Sequence, residues 1–263
     1  MMDIHTGATA GSRIRLLADL RRGITAGAVV VAVVMPSGTL HESRRMGVLG
    51  YAAPSSPMVG AHFADFGTES ASYDARHLAD WIADSRDNAD QAFVILDKKF
   101  ARLYVFDKAA KLRAVSSVLL GAARGDDTVP GIGSRPIAEV RPEERTTPAG
   151  RFVAERGHDA HGQDVVWVDY DAAVAMHRVV TTNLKEHRLE RLASPTVADK
   201  RISYGCINLP ADFYDVQIRP IFAASRAIVY VLPESKPVEQ VFKSYDARAA
   251  HRVRPVRLGK TTA

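Results

Sequence analysis

Between residues 91 and 235 the chain alternates short apolar runs with turn residues, and this alternation narrows its fold more than any other feature. Two apolar runs flank Asp97-Lys98-Lys99, which predicts an antiparallel hairpin. Six further runs read as strands: "KLRAVSSVLLG", "GRFVAER", "DVVWVDY", "AVAMHRVV", "RISYGCINL" and "AIVYVLPE". Short strands separated by Gly- and Pro-containing turns are typical of a sandwich or barrel rather than of β-α-β units. The sequence therefore predicts a mainly β domain with few helices.

Two helices are predicted beside these strands. Residues 73–88 carry apolar side chains at helical spacing, and Ser72 is placed to cap the first turn. A second helix should begin at Pro210 and end near Pro220, because proline lacks the N–H that a helix interior needs. The polar stretch 121–147 is rich in Gly and Pro and predicts a long loop, a kind of segment that is often functional.

The first 36 residues have the layout of an export signal. Four arginines precede the apolar run Ile24–Met35, which a Pro36-Ser37-Gly38 step ends. The run is shorter than the roughly 20 apolar residues of a membrane span. A buried valine-rich strand is the alternative, but it would give the basic flank no role. Because no clean Ala-x-Ala site follows, the segment is either cleaved or kept as a membrane anchor, and we predict a periplasmic or cell-envelope location.

These features divide the chain into four predicted parts. Residues 1–36 are the signal peptide or N-terminal anchor, and 37–90 are a Gly-, Ser- and Pro-rich linker with one short helix. Residues 91–235 form the β domain. Residues 236–263 form a basic C-terminal tail, which we expect to be loosely held.

The chain carries a net charge of +5. A positive net charge of this size favours solubility and attraction to an anionic partner such as a cell-wall polymer. The basic residues are scattered among acidic ones and form no Lys/Arg run interleaved with aromatics, which argues against a nucleic-acid partner.

Cys206 is the only cysteine in 263 residues, so the chain can form neither an intramolecular disulfide nor a multi-cysteine zinc site. A structural cysteine usually lies inside an apolar run. Cys206 instead follows Gly205 at the end of a β-type run, beside Ser203 and Tyr204. An unpaired cysteine in an exported protein suggests a reactive thiol.

A reactive thiol needs a nearby base to take its proton, and four histidines are candidates. His177 lies in the β-type run "AVAMHRVV", on a rigid element, whereas His187 lies in a charged segment. His158 and His161 form a His-x-x-His pair in a turn, which without a helical HExxH context is a weak metal signal. The sequence therefore predicts no metal and no cofactor. The alternative for His177 is a half-buried histidine with a purely structural hydrogen bond.

Four segments, in order along residues 91–235, resemble the catalytic domain of the L,D-transpeptidases, the YkuD-like family. "ISYGCINL" is similar to the family's Ser/Thr-His-Gly-Cys-hydrophobic-Asn/Arg motif, and "TTPAGRFV" to its Thr-Pro-x-Gly-x-Phe segment. "ARLYVFDKAAKLRAVSSVLLG" is similar to the first hairpin, and "VAMHRV" to the strand that carries the upstream catalytic histidine. Two departures stand out. Tyr204 replaces the family's histidine before Gly-Cys, and residues 178–202 form a longer gap that we expect to fold as a flap over or beside the site.

The resemblance implies a YkuD-like β-sandwich or barrel that performs covalent acyl transfer. Cys206 would attack the carbonyl of an L-to-D-centre peptide bond in a peptidoglycan stem peptide, with His177 as general base. A neighbouring backbone carbonyl would orient the histidine. The backbone N–H groups of Tyr204, Gly205 and Cys206 would form the oxyanion hole.

The remaining matched positions carry weaker roles. Ser203 would either contact the substrate or hold the turn, and Asn208 would hold the loop after the nucleophile. Arg201 and Arg178 are candidates to bind a substrate carboxylate bidentately, with solvated surface charge as the alternative for each.

Other functions use the same residues. A hydrolase of wall peptides would share the site, because only the access of water or of an amine to the thioester separates the two reactions. A non-catalytic wall-binding module is the third interpretation, motivated by Tyr204 and the long gap. The predicted partner is a peptidoglycan peptide stem in each case, and no oligomeric state is predicted.

Overall fold

The computed structural model describes residues 61–224 and 226–252, and its main element is an eight-stranded mixed sheet. The ten strands are β1 (Phe93–Asp97), β2 (Arg102–Phe106), β3 (Leu112–Ser117), β4 (Leu120–Gly121), β5 (Gly150–His158), β6 (Asp164–Asp169), β7 (Val174–Arg178), β8 (Arg201–Ser203), β9 (Ile207–Leu209) and β10 (Ala227–Val231). The sheet order is β3-β2-β1-β10-β5-β6-β7-β9, and β4 and β8 form a separate two-stranded parallel sheet.

Six α-helices, most of them short, accompany the strands within the described ranges. They are α1 (Tyr73–Ser85), α2 (Arg188–Ala193), α3 (Ala211–Phe213), α4 (Arg219–Ala224), α5 (Val238–Phe242) and α6 (Ala247–Arg252). No helix in the described ranges is long and apolar enough to cross a membrane.

The large sheet nearly closes on itself. Leu119, just after edge strand β3, exchanges two backbone hydrogen bonds of 2.9 Å with Asn208 of the opposite edge strand β9. Such closure protects strand edges that would otherwise expose unpaired N–H and C=O groups. The predicted class, a mainly β sandwich or barrel with few helices, is confirmed, including the hairpin formed by β1 and β2.

Alternate residues of the central strands enter two separate hydrophobic cores, as the two-residue period of a strand requires. Val94 and Leu96 of β1 pack in a core inside the curved sheet, with α4 and the turn before it. Phe93 and Ile95 of the same strand pack on the other face, against α1. Burial on both faces explains why these strands read as nearly continuous apolar runs.

Helix α1 forms where its sequence predicts it. Ser72 Oγ accepts a hydrogen bond of 3.1 Å from the Ala75 N–H, as an N-cap does. Leu78 and Ile82 are fully buried against the sheet. Phe66, in the described part of the predicted linker, is buried in the same core. The segment before β1 therefore contributes to the core of the β domain.

The described part of the C-terminal tail is also packed on α1. Ala247 of α6 is buried, the Tyr245 hydroxyl donates to the Asp84 carboxylate at 2.7 Å, and Arg248 Nε donates to Asp80 at 2.5 Å. Residues 236–252 are thus held by paired side chains, in contrast to the loose tail expected from their polar composition.

The prediction that Pro220 ends the second helix is wrong. Helix α3 passes into a wide π-helical turn, Tyr214–Ile218, and α4 then continues through Pro220. Proline needs no hydrogen-bond partner in the first turn of a helix, and Pro220 is the second residue of α4. The π-helical turn before α4 lets the α-helical hydrogen-bond pattern start again at Arg219, so Pro220 falls in a first turn.

The predicted export segment, residues 1–36, lies outside the described residues, as does most of the predicted linker.

Candidate active site

Strands β7 and β9 are parallel neighbours, and they bring the two predicted catalytic residues together. Their register pairs Met176 with Ile207 and His177 with Asn208, so Cys206 lies at the N-terminal end of β9, next to the strand that carries the histidine. Neighbouring strands are about 4.8 Å apart. The sheet, rather than the intervening chain, therefore sets the separation of the thiol and the imidazole.

The His177 ring is half-buried and held at both nitrogens. Nδ1 lies 2.7 Å from the Arg178 carbonyl oxygen, and Nε2 lies 3.3 Å from Nδ2 of Asn208. A carbonyl can only accept, so Nδ1 carries the proton and Nε2 presents its lone pair. Burial lowers the pKa of His177, the Arg178 carbonyl opposes this, and the positive charge of Arg188 adds to it. The ring is therefore neutral at rest.

The Cys206 side chain points its Sγ at the Ala173 carbonyl oxygen, 3.6 Å away. Burial raises the pKa of the thiol, against a backbone hydrogen bond at Ala175 and the charge of Arg188, which lower it. Within the described residues, Cys206 Sγ bonds the Ala173 carbonyl oxygen and makes no hydrogen bond to the His177 ring. The resting site thus holds a neutral thiol and a neutral imidazole rather than a preformed ion pair.

Asn208 is fully buried and contacts both predicted catalytic residues. Its Nδ2 lies 3.3 Å from His177 Nε2 and 3.4 Å from the Cys206 carbonyl oxygen, while its Oδ1 accepts from Arg188 Nη1 at 2.5 Å. The predicted role, to hold the loop after the nucleophile, matches the contact with the Cys206 carbonyl. The contact with His177 brings Asn208 closer to the chemistry than the sequence suggested.

Ser203 ties the turn that presents the thiol. Its buried hydroxyl donates to the Cys206 carbonyl at 2.6 Å and accepts from the Gly205 N–H at 3.2 Å. Of its two predicted roles, this contact is the turn-holding one, and a substrate contact stays a prediction. Because the Gly205 N–H is engaged by Ser203, the Tyr204 and Cys206 N–H groups are the remaining candidates for the oxyanion hole.

Gly205 is required by the backbone of this turn. Its φ of +130° is disfavoured for residues with a Cβ, and a Cβ there would lie 2.8 Å from the Thr146 carbonyl oxygen. The next residue along, Thr147, donates its hydroxyl to the Gly205 carbonyl at 2.8 Å and accepts from the Gly121 N–H at 3.0 Å. The predicted Thr-Pro-x-Gly-x-Phe segment thus packs against the nucleophile loop.

A buried ion pair supports the same segment. Lys98 Nζ is inaccessible to solvent and donates to Asp126 Oδ1 at 3.0 Å and to the Thr147 carbonyl at 2.8 Å. Burial raises the pKa of Asp126, but hydrogen bonds from Ser235, Glu234 and Lys98 outweigh it and hold the pKa well below its usual range. The ionised pair therefore fixes Thr147, which in turn holds Gly205.

Tyr204 occupies the position of the histidine in the resembling motif. Its ring is 41% exposed, and the guanidinium carbon of Arg145 lies 4.0 Å from the ring centroid. Nε and Nη2 of Arg145 bond the Val140 carbonyl at 3.3 and 3.1 Å. This stacking holds Tyr204 as a cation–π partner. Arg145 had no signal in the sequence, because nothing in its local pattern marks a stacking partner.

The two predicted carboxylate-binding arginines are already paired. Arg201 Nη2 bonds Glu234 Oε2 at 2.6 Å, and both side chains are only 8% exposed, so Arg201 is not a solvated surface charge. Arg178 forms a two-point pair with Asp215, with distances of 2.5 and 3.2 Å, and lies over the Tyr214 ring. Either arginine would have to leave its acidic partner to bind a substrate carboxylate.

The long gap between His177 and Ser203 contains three short helical pieces: a 3-10 turn (Leu184–Glu186), α2, and a second 3-10 turn (Val197–Lys200). Lys200 Nζ closes the end of α2 by donating to the Leu192 carbonyl at 2.8 Å. The gap reaches the site through Arg188, the first residue of α2, which sequence reasoning missed.

The three other candidate histidines lie on other elements than the two strands β7 and β9. His158 ends β5, His161 lies in the turn that follows, and His187 is exposed before α2. Across residues 61–224 and 226–252, no group of three or more His, Cys, Asp or Glu side chains is placed to hold a metal ion.

No family model matches the sequence, and no curated protein matches it. Solved structures do match its fold. A mutant of the helical cell shape determining protein Pgp2 from Campylobacter jejuni is 15% identical with a TM-score of 0.38, and the match covers 62% of this chain and 57% of Pgp2. The L,D-transpeptidase LdtMt1 in complex with imipenem is 16% identical with a TM-score of 0.31, covering 54% and 58%.

An L,D-transpeptidase from Mycobacterium smegmatis is 15% identical with a TM-score of 0.32, covering 54% of this chain and 58% of that one. The match thus spans less than three fifths of each solved chain. At these scores the likeness carries no functional argument, so function is argued from the site.

Proposed function

We propose that this chain is a cysteine-dependent acyltransferase of the L,D-transpeptidase type, which acts on peptidoglycan stem peptides. The observation that carries the proposal is the parallel register of β7 and β9, which brings His177 beside the Cys206–Asn208 segment. The ordered resemblance of four sequence segments supplies the substrate class. The basic excess of the chain suits an anionic wall polymer.

The first half-reaction forms a thioester. Cys206 Sγ turns from the Ala173 carbonyl towards His177 Nε2, where the Asn208 amide now lies at 3.3 Å. Nε2 takes the thiol proton, and the thiolate attacks the carbonyl carbon of the peptide bond. The N–H groups of Tyr204 and Cys206 stabilise the tetrahedral oxyanion. The carbon–nitrogen bond then breaks, and the leaving amine takes the proton from Nε2.

The second half-reaction releases the enzyme. An amine of a second stem attacks the thioester, Nε2 removes its proton, the carbon–sulfur bond breaks, and the thiolate regains a proton from the imidazolium. Water in place of the amine gives hydrolysis by the same steps. The neutral resting pair fits this use of the base, because proton transfer is needed only when a carbonyl carbon is in place.

The basic n-region and the apolar run at residues 24–35 support export to the periplasm or cell envelope, where the proposed substrate is found. No cofactor or metal enters the proposed reaction.

Acylation by imipenem tests the nucleophile directly. We expect intact-mass spectrometry to show a gain of one drug mass on the wild type, because Sγ bonds the lactam carbonyl carbon as the ring carbon–nitrogen bond opens. Cys206→Ala should show none, Cys206→Ser should show little, and His177→Ala should react far more slowly. An adduct of equal yield on Cys206→Ala would refute the assignment of the nucleophile.

Purified muropeptides then separate crosslinking from hydrolysis. A dimeric product that disappears in Cys206→Ala supports the transpeptidase, whereas a shortened monomer alone supports the hydrolase. Wild type that takes the drug but turns over no muropeptide would contradict the proposed substrate class while leaving the acyl-transfer chemistry in place. Wild type that neither reacts with the drug nor turns over muropeptides would favour a binding module.

A further inference from the structure

We propose that Arg188, from the insert between β7 and β9, is a positioning residue that orients the Asn208 amide toward His177 and places a positive charge on the residue that contacts both His177 and Cys206. The inference rests on the proposed function, since it concerns the same thiol and imidazole.

The Arg188 side chain is committed to the site. It is only 13% exposed, and its Nη1 donates to Asn208 Oδ1 at 2.5 Å while its Nε donates to Glu186 Oε2 at 2.5 Å. Hydrogen bonds from a charged guanidinium are among the stronger ones in proteins. The Glu186 contact fixes the guanidinium in the insert and leaves another of its donors for Asn208.

This contact decides which way the Asn208 amide faces. A guanidinium only donates, so it requires the amide oxygen on its side, and the Cys206 carbonyl only accepts, so it requires the amide nitrogen on the other. The amide nitrogen therefore donates to the lone pair of His177 Nε2, which suits a ring protonated at Nδ1, and this hydrogen bond has to open before the thiol proton can reach Nε2. Without Arg188 the amide oxygen loses its charged donor, and only the contacts of the amide nitrogen with the Cys206 carbonyl and with Nε2 still fix the orientation of the amide.

The charge of Arg188 acts on both catalytic groups. Burial raises the pKa of the Cys206 thiol, and the charge of Arg188 lowers it. Burial lowers the pKa of the His177 ring, and the charge of Arg188 lowers it further. Asp159, in the β5–β6 turn, raises both pKa values. Glu186 offsets part of the guanidinium charge from within the insert. Removal of Arg188 should therefore raise the thiol pKa and leave less thiolate at neutral pH.

The pH dependence of Cys206 alkylation by iodoacetamide tests this on the full chain, without any need for turnover. We expect Arg188→Ala to raise the apparent thiol pKa and to lower the alkylation rate at neutral pH by about tenfold, because loss of a nearby positive charge disfavours the thiolate. Arg188→Lys keeps the charge and should restore most of the rate. Arg188→Gln keeps a donor but no charge, so its midpoint should stay raised, and it remains informative if the alanine variant fails to fold.

Arg191→Ala is the matched control. Arg191 lies on the same helix and bonds the Glu186 and Asp199 carbonyls at 2.9 and 2.8 Å, so its loss loosens the insert without removing the contact to Asn208. We expect its alkylation profile to match the wild type. An unshifted midpoint in Arg188→Gln, or an equal shift in Arg191→Ala, would overturn the role of Arg188.

The two proposals fail separately. A normal imipenem adduct with an unshifted midpoint in the Arg188 variants would reject only the positioning role. A shifted midpoint in a protein that neither takes the drug nor turns over muropeptides would reject only the proposed function.

Discussion

Replacement of Gly205 by alanine is expected to strain the nucleophile loop beyond what the loop can absorb. The backbone at Gly205 has φ of +130°, and a residue with a Cβ pays about 1–3 kcal/mol for such a conformation. The added Cβ would also lie 2.8 Å from the Thr146 carbonyl oxygen and 3.3 Å from a methyl group of Val174. The backbone shift needed to relieve these contacts costs about 1–3 kcal/mol more, as overpacking of a core does.

The sum, about 2–6 kcal/mol, is a large part of the roughly 5–15 kcal/mol by which a domain is usually stable. Thr146 cannot move freely, because the next residue, Thr147, is held by the buried Lys98 and by its own bond to Gly205. We therefore expect the free energy of unfolding, measured with urea, to fall by at least about 2 kcal/mol. The iodoacetamide reaction of Cys206 should change as well, because the thiol follows the displaced residue.

Gly131→Ala separates the contact from the backbone strain. Gly131 also has a positive φ, +74°, but a Cβ there would meet no atom within 4 Å. It should cost only about 1–2 kcal/mol of backbone strain and leave thiol reactivity unchanged. If Gly205→Ala destabilises the protein no more than Gly131→Ala, the reasoning from the Thr146 contact is refuted.

Three further predictions follow from the buried pairs. Asp126→Asn removes the carboxylate that bonds buried Lys98 and leaves Glu234, 3.9 Å away, as its remaining counter-charge, so we expect a loss of about 1.5–3 kcal/mol in urea unfolding at pH 7. Because the pKa of Asp126 is lower in the folded protein, its contribution is present above the unfolded pKa of about 3.9 and lost as pH falls through the folded value. A variant as stable as the wild type at pH 7, or equally sensitive to acid, would contradict the pairing. Thr147→Val should cost about 1–3 kcal/mol through unsatisfied buried groups, and Thr147→Ser should not, so equal losses in unfolding would contradict the hydroxyl's role. In the wild type, the alkylation rate of Cys206 should rise through a midpoint above the usual thiol pKa of about 8.5, because burial raises the thiol pKa and lowers that of His177. A midpoint near pH 6 would indicate a preformed ion pair instead.

Local sequence patterns carried most of the fold and part of the site. Three predictions depend on neighbours in the chain and are confirmed: the strands read from apolar runs separated by turns, the Ser72 cap, and the hairpin at residue 97. The Gly-Cys step also has a local cause, since the φ at Gly205 is a property of one residue. The end of the helix at Pro220 was mispredicted, because a wide turn just before it changes what proline requires.

Contacts between distant residues account for what the sequence could not supply. Arg201 and Glu234 are 33 residues apart, and their pairing is visible only once β8 and β10 have folded. Arg188 looks like one charge among many in "NLKEHRLERL", because its partner Asn208 lies 20 residues away on another element. Charged residues carry no local signal of being buried, so such partners need the three-dimensional structure.

The register of β7 and β9 has a consequence for redesign. Since hydrogen bonds between β7 and β9 hold His177 beside the segment that follows Cys206, the length of the joining chain does not by itself set their separation. Segments of different size and chemistry could be exchanged between residues 179 and 200 to reshape access to the thiol, provided that one cation is kept for Asn208. If the proposed function holds, libraries that randomise only this segment would vary the access of acceptors while the pairing of β7 with β9 stays the same.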